Sequence, residues 1–287
     1  MSNFFKTVSV FYKNKFVSPE VATIKHCIWQ IRKLLDLFPC DIAVHDFKVR
    51  ISNRSIANGC GALINAMGYY DPNNMHLLDE LFSINLLRSF FDIGANIGIY
   101  SLIAASTRNV KVFAFEPHPY TLSLLRENIA INFFEKRVNA VQCALGELNG
   151  QINLTDNPGS AVNHILENNE NAQKGISVKQ IRGDTFCQEE NIIPHAMKID
   201  VEGYENSVLR GFESILDRVQ LIFVECRSVA QTCSILCDRF GFLGPYKIDY
   251  RARRFEKADI SYEDWNFVNP QLLPLLESAN FQFERNG

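Results

Sequence analysis

The stretch FDIGANIG, residues 91–98, constrains this chain more than any other. A short apolar run ends in an acidic residue and a glycine turn, and helical spacing begins directly after it. Two comparable junctions follow, FAFEP at 113–117 and KIDVEGYE at 198–205. Strands that end in acidic or glycine-rich turns, each leading into a helix, bring ligand-binding groups to one carboxyl edge of a parallel sheet.

The surrounding punctuation agrees. Apolar runs at 89–93, 110–115, 138–142, 196–201 and 219–224 are short and rich in Val, Ile and Phe, as strands buried on both faces are. Between them, 99–106, 119–131, 205–216 and 228–239 carry apolar residues at helical spacing, which implies right-handed βαβ units. Residues 143–183 break the rhythm with a polar, Asn-rich stretch expected to be a hairpin and a long surface loop rather than a packed unit. Late in the chain, FLGPYKIDYR and WNFV read as a strand pair and PQLLPLLESA as a closing helix. Upstream, VHDFKVRI alternates like a half-exposed strand and GCGALINAMGYYDP reads as turns around a short apolar segment. This organisation predicts an N-terminal cap over 1–75 that leans on a main domain over 76–287.

With 287 residues and a formal charge of −3, the chain lacks the basic excess that a sequence-independent grip on nucleic acid requires. Its 8 cysteines show no CxxC pairing, and they are expected to be reduced, in a cytoplasmic protein. The opening MSNFFKTVSVFYKNKF lacks the continuous apolar segment of a signal peptide, and no run reaches the ~20 apolar residues of a membrane span. Cys226, Cys233 and Cys237 lie closest together but fit no familiar zinc spacing.

At the glycine turn, Asp92 ends the first strand, and Gly94 and Gly98 bracket the approach to a helix whose first N–H groups are free to meet a ligand. A dinucleotide fingerprint needs GxGxxG, whereas Asn96 and Ile99 occupy its second and third glycine positions. Glu116, at the end of the next strand, is placed to accept hydrogen bonds from both hydroxyls of a ribose. The pair points to an adenosine-type ligand. The alternative makes Asp92 a helix-capping residue and Glu116 an exposed loop carboxylate.

Together these motifs resemble class I S-adenosylmethionine-dependent methyltransferases, and more narrowly those of the FkbM type. FDIGANIGIYS, FAFEP and KIDVEGYENSVLRGF carry the likeness, which runs from about Gly68 to Glu225. It implies an α/β, Rossmann-like fold: a mostly parallel seven-stranded sheet with helices on both faces, a late antiparallel strand and the small N-terminal cap. It also implies S-adenosylmethionine as cofactor, with Asp92, Gly94, Asn96 and Gly98 around its methionine and ribose parts. Glu116 would hold the ribose hydroxyls, and Cys143 and Ala144 would lie beside the adenine. Tyr69, Tyr70 and Asp71 sit roughly where the family carries a Tyr-acidic pair near the cofactor.

In the fourth-strand motif, Lys198, Asp200 and Glu202 alternate with apolar residues, and a buried carboxylate must be paired, bonded or wet. The structural reading is a Lys198–Asp200 ion pair. The functional one places Asp200 and Glu202 at the lip of a cofactor crevice, where Asp200 first, then Glu202 or His118, could take a proton from an acceptor. Glu225 at the next strand end could pair with Asp200 around a hard cation, although no metal is assigned. DVEG stands where amino-group methyltransferases commonly carry an Asn/Asp-Pro-Pro-aromatic motif. By resemblance this favours a hydroxyl acceptor on a sugar, polysaccharide precursor or secondary metabolite. Tyr262 and Trp265, the cluster Arg251, Arg253 and Arg254, and the loop residues Ser160 and Asn163 are candidate acceptor contacts. Each also has a plain role in packing or solvation. A nucleotide-dependent oxidoreductase and a non-catalytic binding module remain as rival readings.

Overall fold

The computed structural model describes residues 16–58, 60–157, 163–166, 175–226, 229–257 and 264–284. The chain enters through helix α1 (Pro19–Leu34), a hairpin of β1 (Cys40–Val44) and β2 (Phe47–Ile51), short helices α2 (Arg54–Asn58) and α3 (Cys60–Met67), and α4 (Pro72–Ser83). Then come β3 (Ser89–Ile93), α5 (Ile99–Ser106), β4 (Lys111–Phe115), α6 (Pro119–Ile131), β5 (Val138–Val141), β6 (Ala144–Gly146), β7 (Gly150–Thr155) and β8 (Gly175–Arg182). Helix α7 (Gly183–Glu189) leads to β9 (Ala196–Ile199), α8 (Glu205–Gly211), β10 (Leu221–Glu225) and α9 (Val229–Cys233), which runs on into a π-helical turn. The chain closes with β11 (Leu243–Asp249), β12 (Arg254–Lys257), β13 (Asp264–Val268), α10 (Leu273–Ser278) and β14 (Gln282–Phe283).

The main sheet runs β14-β12-β11-β13-β10-β9-β3-β4-β5. Its strands β5, β4, β3, β9 and β10 are parallel, and β13 is antiparallel to both β10 and β11. This is the expected Rossmann-like sheet, seven strands with β13 reversed. The expectation of seven strands fell short at one edge, where β12 pairs with β11 and the two-residue β14 adds to β12. Burial explains why the central strands were legible. Alternate residues of β3 and β4 feed two cores, Phe90, Val112 and Ala114 on one face and Phe91, Ile93, Phe113 and Phe115 on the other. Such strands have no solvent face and read as continuous apolar runs.

Three local expectations are corrected. Within residues 143–183 the expected hairpin is present as β7 paired antiparallel with β8, but β6 adds to β8 and Ala144, Leu154 and Val178 form a small apolar cluster. The described part of the stretch is therefore packed, while most of the expected long loop lies outside the described residues. The GCGALINAMG segment is largely the helix α3; Gly61, which reads as a turn residue, is a helical position where an added Cβ would lie 3.0 Å from the Trp29 ring. Helix α8 stops at Gly211, well short of 216, where a Cβ would lie 2.1 Å from the Gly146 carbonyl oxygen. The N-terminal elements share the core of the sheet, since Trp29, Val49, Ile51, Met75 and Leu78 belong to the same cluster as Phe90. The boundary expected at residue 75 falls inside α4. Among the described residues, no helix is long and apolar enough to cross a membrane.

One buried side chain joins the N-terminal hairpin to the region of the glycine turn. Asn128 on α6 accepts the N–H of Arg50 at 2.6 Å and donates to the Ile97 carbonyl at 3.0 Å. Replacing it leaves two buried backbone groups without partners, each worth roughly 1–3 kcal/mol. Asn128→Ala is expected to lower the unfolding free energy by about 2–4 kcal/mol in urea titration, and a change under about 0.5 kcal/mol would contradict this link.

Candidate functional site

The glycine turn is held from two sides. Gly94 and Ala95 both donate to the Phe115 carbonyl at 3.0 Å, which fastens the turn to the end of β4. Gly94 has φ of +80°, and a Cβ there would lie 1.8 Å from the Asp200 carbonyl oxygen. Only glycine lets the turn pass so close over the end of β9. Asp92 is buried at 2% exposure, and its Oδ2 accepts the Ser101 N–H at 2.9 Å and the Ser101 hydroxyl at 2.6 Å. Thus Asp92 ties β3 to the first turn of α5 and does not line the crevice in front of it. Gly98, at the N-cap of α5, packs against Leu125 and also lies behind that wall.

Glu116 projects from the end of β4 into the crevice. The Asn96 N–H donates to its Oε2 at 2.9 Å and the His118 N–H to its Oε1 at 3.0 Å, so both oxygens are fixed in direction. Burial pushes its carboxyl up to about 7 against the downward pull of those two N–H groups. His118 caps α6, and its Nε2 lies 3.1 Å from Asp156. Its ring is buried outside the crevice lining, so this sequence candidate does not join Asp200.

The crevice is open to solvent at its mouth. Gly94, Asn96 and Glu116 form one side, and Asp200, Val201 and Glu202 the lip after β9. Cys143, Ala144 and Leu145 form an apolar end wall, completed by Leu154 and Ile165. Burial also pushes the Cys143 thiol up to about 12, so it serves as an apolar surface. Leu154 and Ile165 were missed in the sequence, as was the buried Thr121. The alternation of Ile152 and Leu154 along QINLT was the available signal. Asn163 lines the crevice and accepts from Asn157 N–H and the Thr155 hydroxyl, both at 3.1 Å. Ser160 and Tyr262 lie outside the described residues.

Beside the lip sits a buried ammonium. Lys198 Nζ is 3.4 Å from Asp200 Oδ2, 3.5 Å from Glu225 Oε2 and 5.7 Å from the centre of the Tyr100 ring. Burial opposes its charge, but Asp200, Glu225, Asp264 and Asp71 outweigh that and raise it above the ordinary lysine range. Glu225 is itself pushed up, first by burial and then by repulsion from Asp200, with Lys198 acting the other way. The Tyr100 hydroxyl donates to Asp71 Oδ2 at 2.7 Å, and Asp71 caps α4. The ion-pair reading of Lys198 and Asp200 therefore holds geometrically, and Asp200 still faces the crevice. Among the described residues no cluster of three or more His, Cys, Asp or Glu is arranged around a metal site.

The remaining candidates are engaged elsewhere. Arg253 makes a two-pronged bond to Glu80 and lies over Phe281, Arg254 pairs with Glu256, and Arg251 lies over Phe16. Tyr69 packs on His76 with ring centres 4.2 Å apart, and Trp265 is buried on β13.

Comparison with known proteins places most of this chain in a family. Residues 92–282 match the family described as Methyltransferase FkbM domain. The chain is 32% identical over 136 residues to the hexuronic acid methyltransferase AglP of Haloferax volcanii, covering 47% of this chain and 54% of that protein. It is 32% identical over 142 residues to the methyltransferase sdnD of Sordaria araneosa, with the same coverage of 47% and 54%. The chain thus spans about half the length of these curated relatives. Among solved structures, the METTL16 MTase domain aligns at 15% identity and a TM-score of 0.45, over 76% of this chain and 82% of that one.

The raised carboxyl of Glu116 makes stability depend on pH. In the unfolded chain it releases its proton near 4.5, in the folded chain near 7. Between these values the folded state holds a proton that the unfolded state has lost, so stability falls as pH rises through the window. Glu116→Gln removes this contribution, and urea titrations from pH 4.5 to 7 should show a shallower decline than the unsubstituted chain. An identical slope would mean that burial does not hold the Glu116 proton.

Proposed function

The chain belongs to the FkbM methyltransferase family, and we propose that it moves a methyl group from S-adenosylmethionine to a hydroxyl of a sugar, a polysaccharide precursor or a secondary metabolite. The observation that carries the cofactor assignment is Glu116, with both carboxylate oxygens aligned by backbone N–H groups at the edge of the crevice. Each oxygen keeps lone-pair capacity for one hydroxyl of a ribose. Cys143, Ala144, Leu154 and Ile165 offer an apolar bay suited to adenine, and Gly94 and Asn96 open the side left for the methionine part. Asp92 and Gly98 support the turn from behind. A dinucleotide fits less well, because the Asn96 N–H needed by a pyrophosphate is already directed at Glu116.

When bound, the cofactor supplies an electrophilic methyl on a sulfonium, and the sulfur keeps the electron pair of the broken C–S bond. The chain's part is to hold the acceptor oxygen in line and to remove its proton. Asp200 is the favoured proton acceptor, since its carboxylate lines the crevice and is a third exposed. Lys198 orients that carboxylate from the buried side. Glu202, on the same lip, is the second candidate, and His118 supports the fold of the Glu116 loop instead. A sugar hydroxyl as acceptor is favoured by the likeness to a hexuronic acid methyltransferase.

Glu116→Ala should weaken S-adenosylmethionine binding by about 1.5–3 kcal/mol, as expected for hydrogen bonds to a charged group. Unchanged affinity in calorimetry would show that the ribose lies elsewhere. Asp200→Asn should keep cofactor affinity within a few-fold and lower methyl transfer by about 10²–10⁴-fold. Full transfer by this variant would remove Asp200 as the base.

A further inference from the structure

Helix α1 is apolar on two opposite faces. Ala22, His26 and Trp29 are buried, with Trp29 Nε1 donating to the Ala57 carbonyl at 3.1 Å. Turned away from that contact, Val21, Ile24, Ile28, Ile31 and Leu35 are 46%, 60%, 57%, 55% and 63% exposed. Their spacing alternates three and four residues, the a and d positions of a heptad, the pattern a helix presents to a second helix. Leu34 and Leu37, also exposed, widen the stripe. Together these residues expose on the order of 700 Å², more than the ~300–600 Å² largest patch of an ordinary monomer and close to the ~800 Å² each partner gives to a standard interface. A single apolar side chain on a surface needs no explanation, but a continuous heptad stripe opposite the buried face does.

We propose that the outward face of α1 is the contact between two copies of this chain, whose α1 helices lie side by side and parallel. The flanking charges favour this occupant and this direction. On the heptad frame Glu20 takes a g position and Lys25 the e position five residues later, so in a parallel pair each Glu20 meets the second copy's Lys25. An antiparallel pair would instead set Lys25 against Arg32, since both are at e. A lipid surface is less well matched, because an interfacial helix carries basic residues around its polar face, whereas one flank here holds Glu20 and Cys27.

Light scattering and sedimentation equilibrium on the full chain in the micromolar range should give twice the mass of one chain. Ile28→Glu should reduce this to a single chain that keeps the circular dichroism spectrum of the unsubstituted chain, since Ile28 is exposed and outside the core. Lys25→Glu should weaken the dimer by about tenfold, and the double exchange of Glu20→Lys with Lys25→Glu should restore it. A monomeric unsubstituted chain overturns the proposal, whether it stays free or floats with phosphatidylcholine–phosphatidylserine vesicles. A dimer that survives Ile28→Glu, or a double exchange that fails to restore pairing, overturns it equally.

Discussion

The passage of the glycine turn over the end of β9 is the constraint on which the site depends. Because Gly94 has no side chain, its backbone can lie against the Asp200 carbonyl while its N–H reaches Phe115 at the end of β4. Three strand ends are thereby fixed to one another. Glu116 and Asp200 follow β4 and β9 directly, so the same contact that closes the sheet edge sets the positions of the two crevice carboxylates. A side chain at Gly94 would have to push β9 and β3 apart, and the crevice would lose its geometry before losing any residue that lines it.

The two carboxylates are prepared by opposite means. Glu116 is buried and raised, with backbone N–H groups at both oxygens, a state that an additional set of hydroxyl donors would stabilise in its charged form. Asp200 is wetter and has a buried ammonium at 3.4 Å. One group thus presents two oriented carboxylate oxygens to the crevice, and the other a carboxylate held from behind by Lys198. Lys198 also joins Asp200 to Glu225 and lies under Tyr100, which is bonded to Asp71. Through this chain, the cap of α4 in the N-terminal region is coupled to the crevice lip.

Sequence reading recovered what is governed by local pattern. Helices 99–106 and 119–131 begin and end where apolar spacing placed them, and the strands of the parallel sheet stand out because both faces are covered. Where long-range contacts decide, the reading failed. Gly61 looks like a turn residue but lies in a helix, where its missing side chain leaves room for the Trp29 ring. The β6-β8-β7 sheet lies within a polar, Asn-rich stretch that hides short strands, and its contributions to the crevice, Ala144 and Leu145 of β6 and Leu154 of β7, are apolar side chains set close to that polar background. Asp92 and Glu116 look equivalent as strand-end acids, but Asp92 meets Ser101 behind the turn while Glu116 faces the crevice. The cluster of Arg251, Arg253 and Arg254 looks open to an anion until the fold brings Glu80 and Phe281 to Arg253.

The central claim is that this crevice is built for an adenosine sulfonium and not for a dinucleotide. Titration calorimetry of the full chain with S-adenosylmethionine and, separately, with NAD tests it most directly. One equivalent of S-adenosylmethionine bound per chain, with no heat of binding from NAD, is the predicted result; saturable binding of NAD with none of S-adenosylmethionine would contradict it.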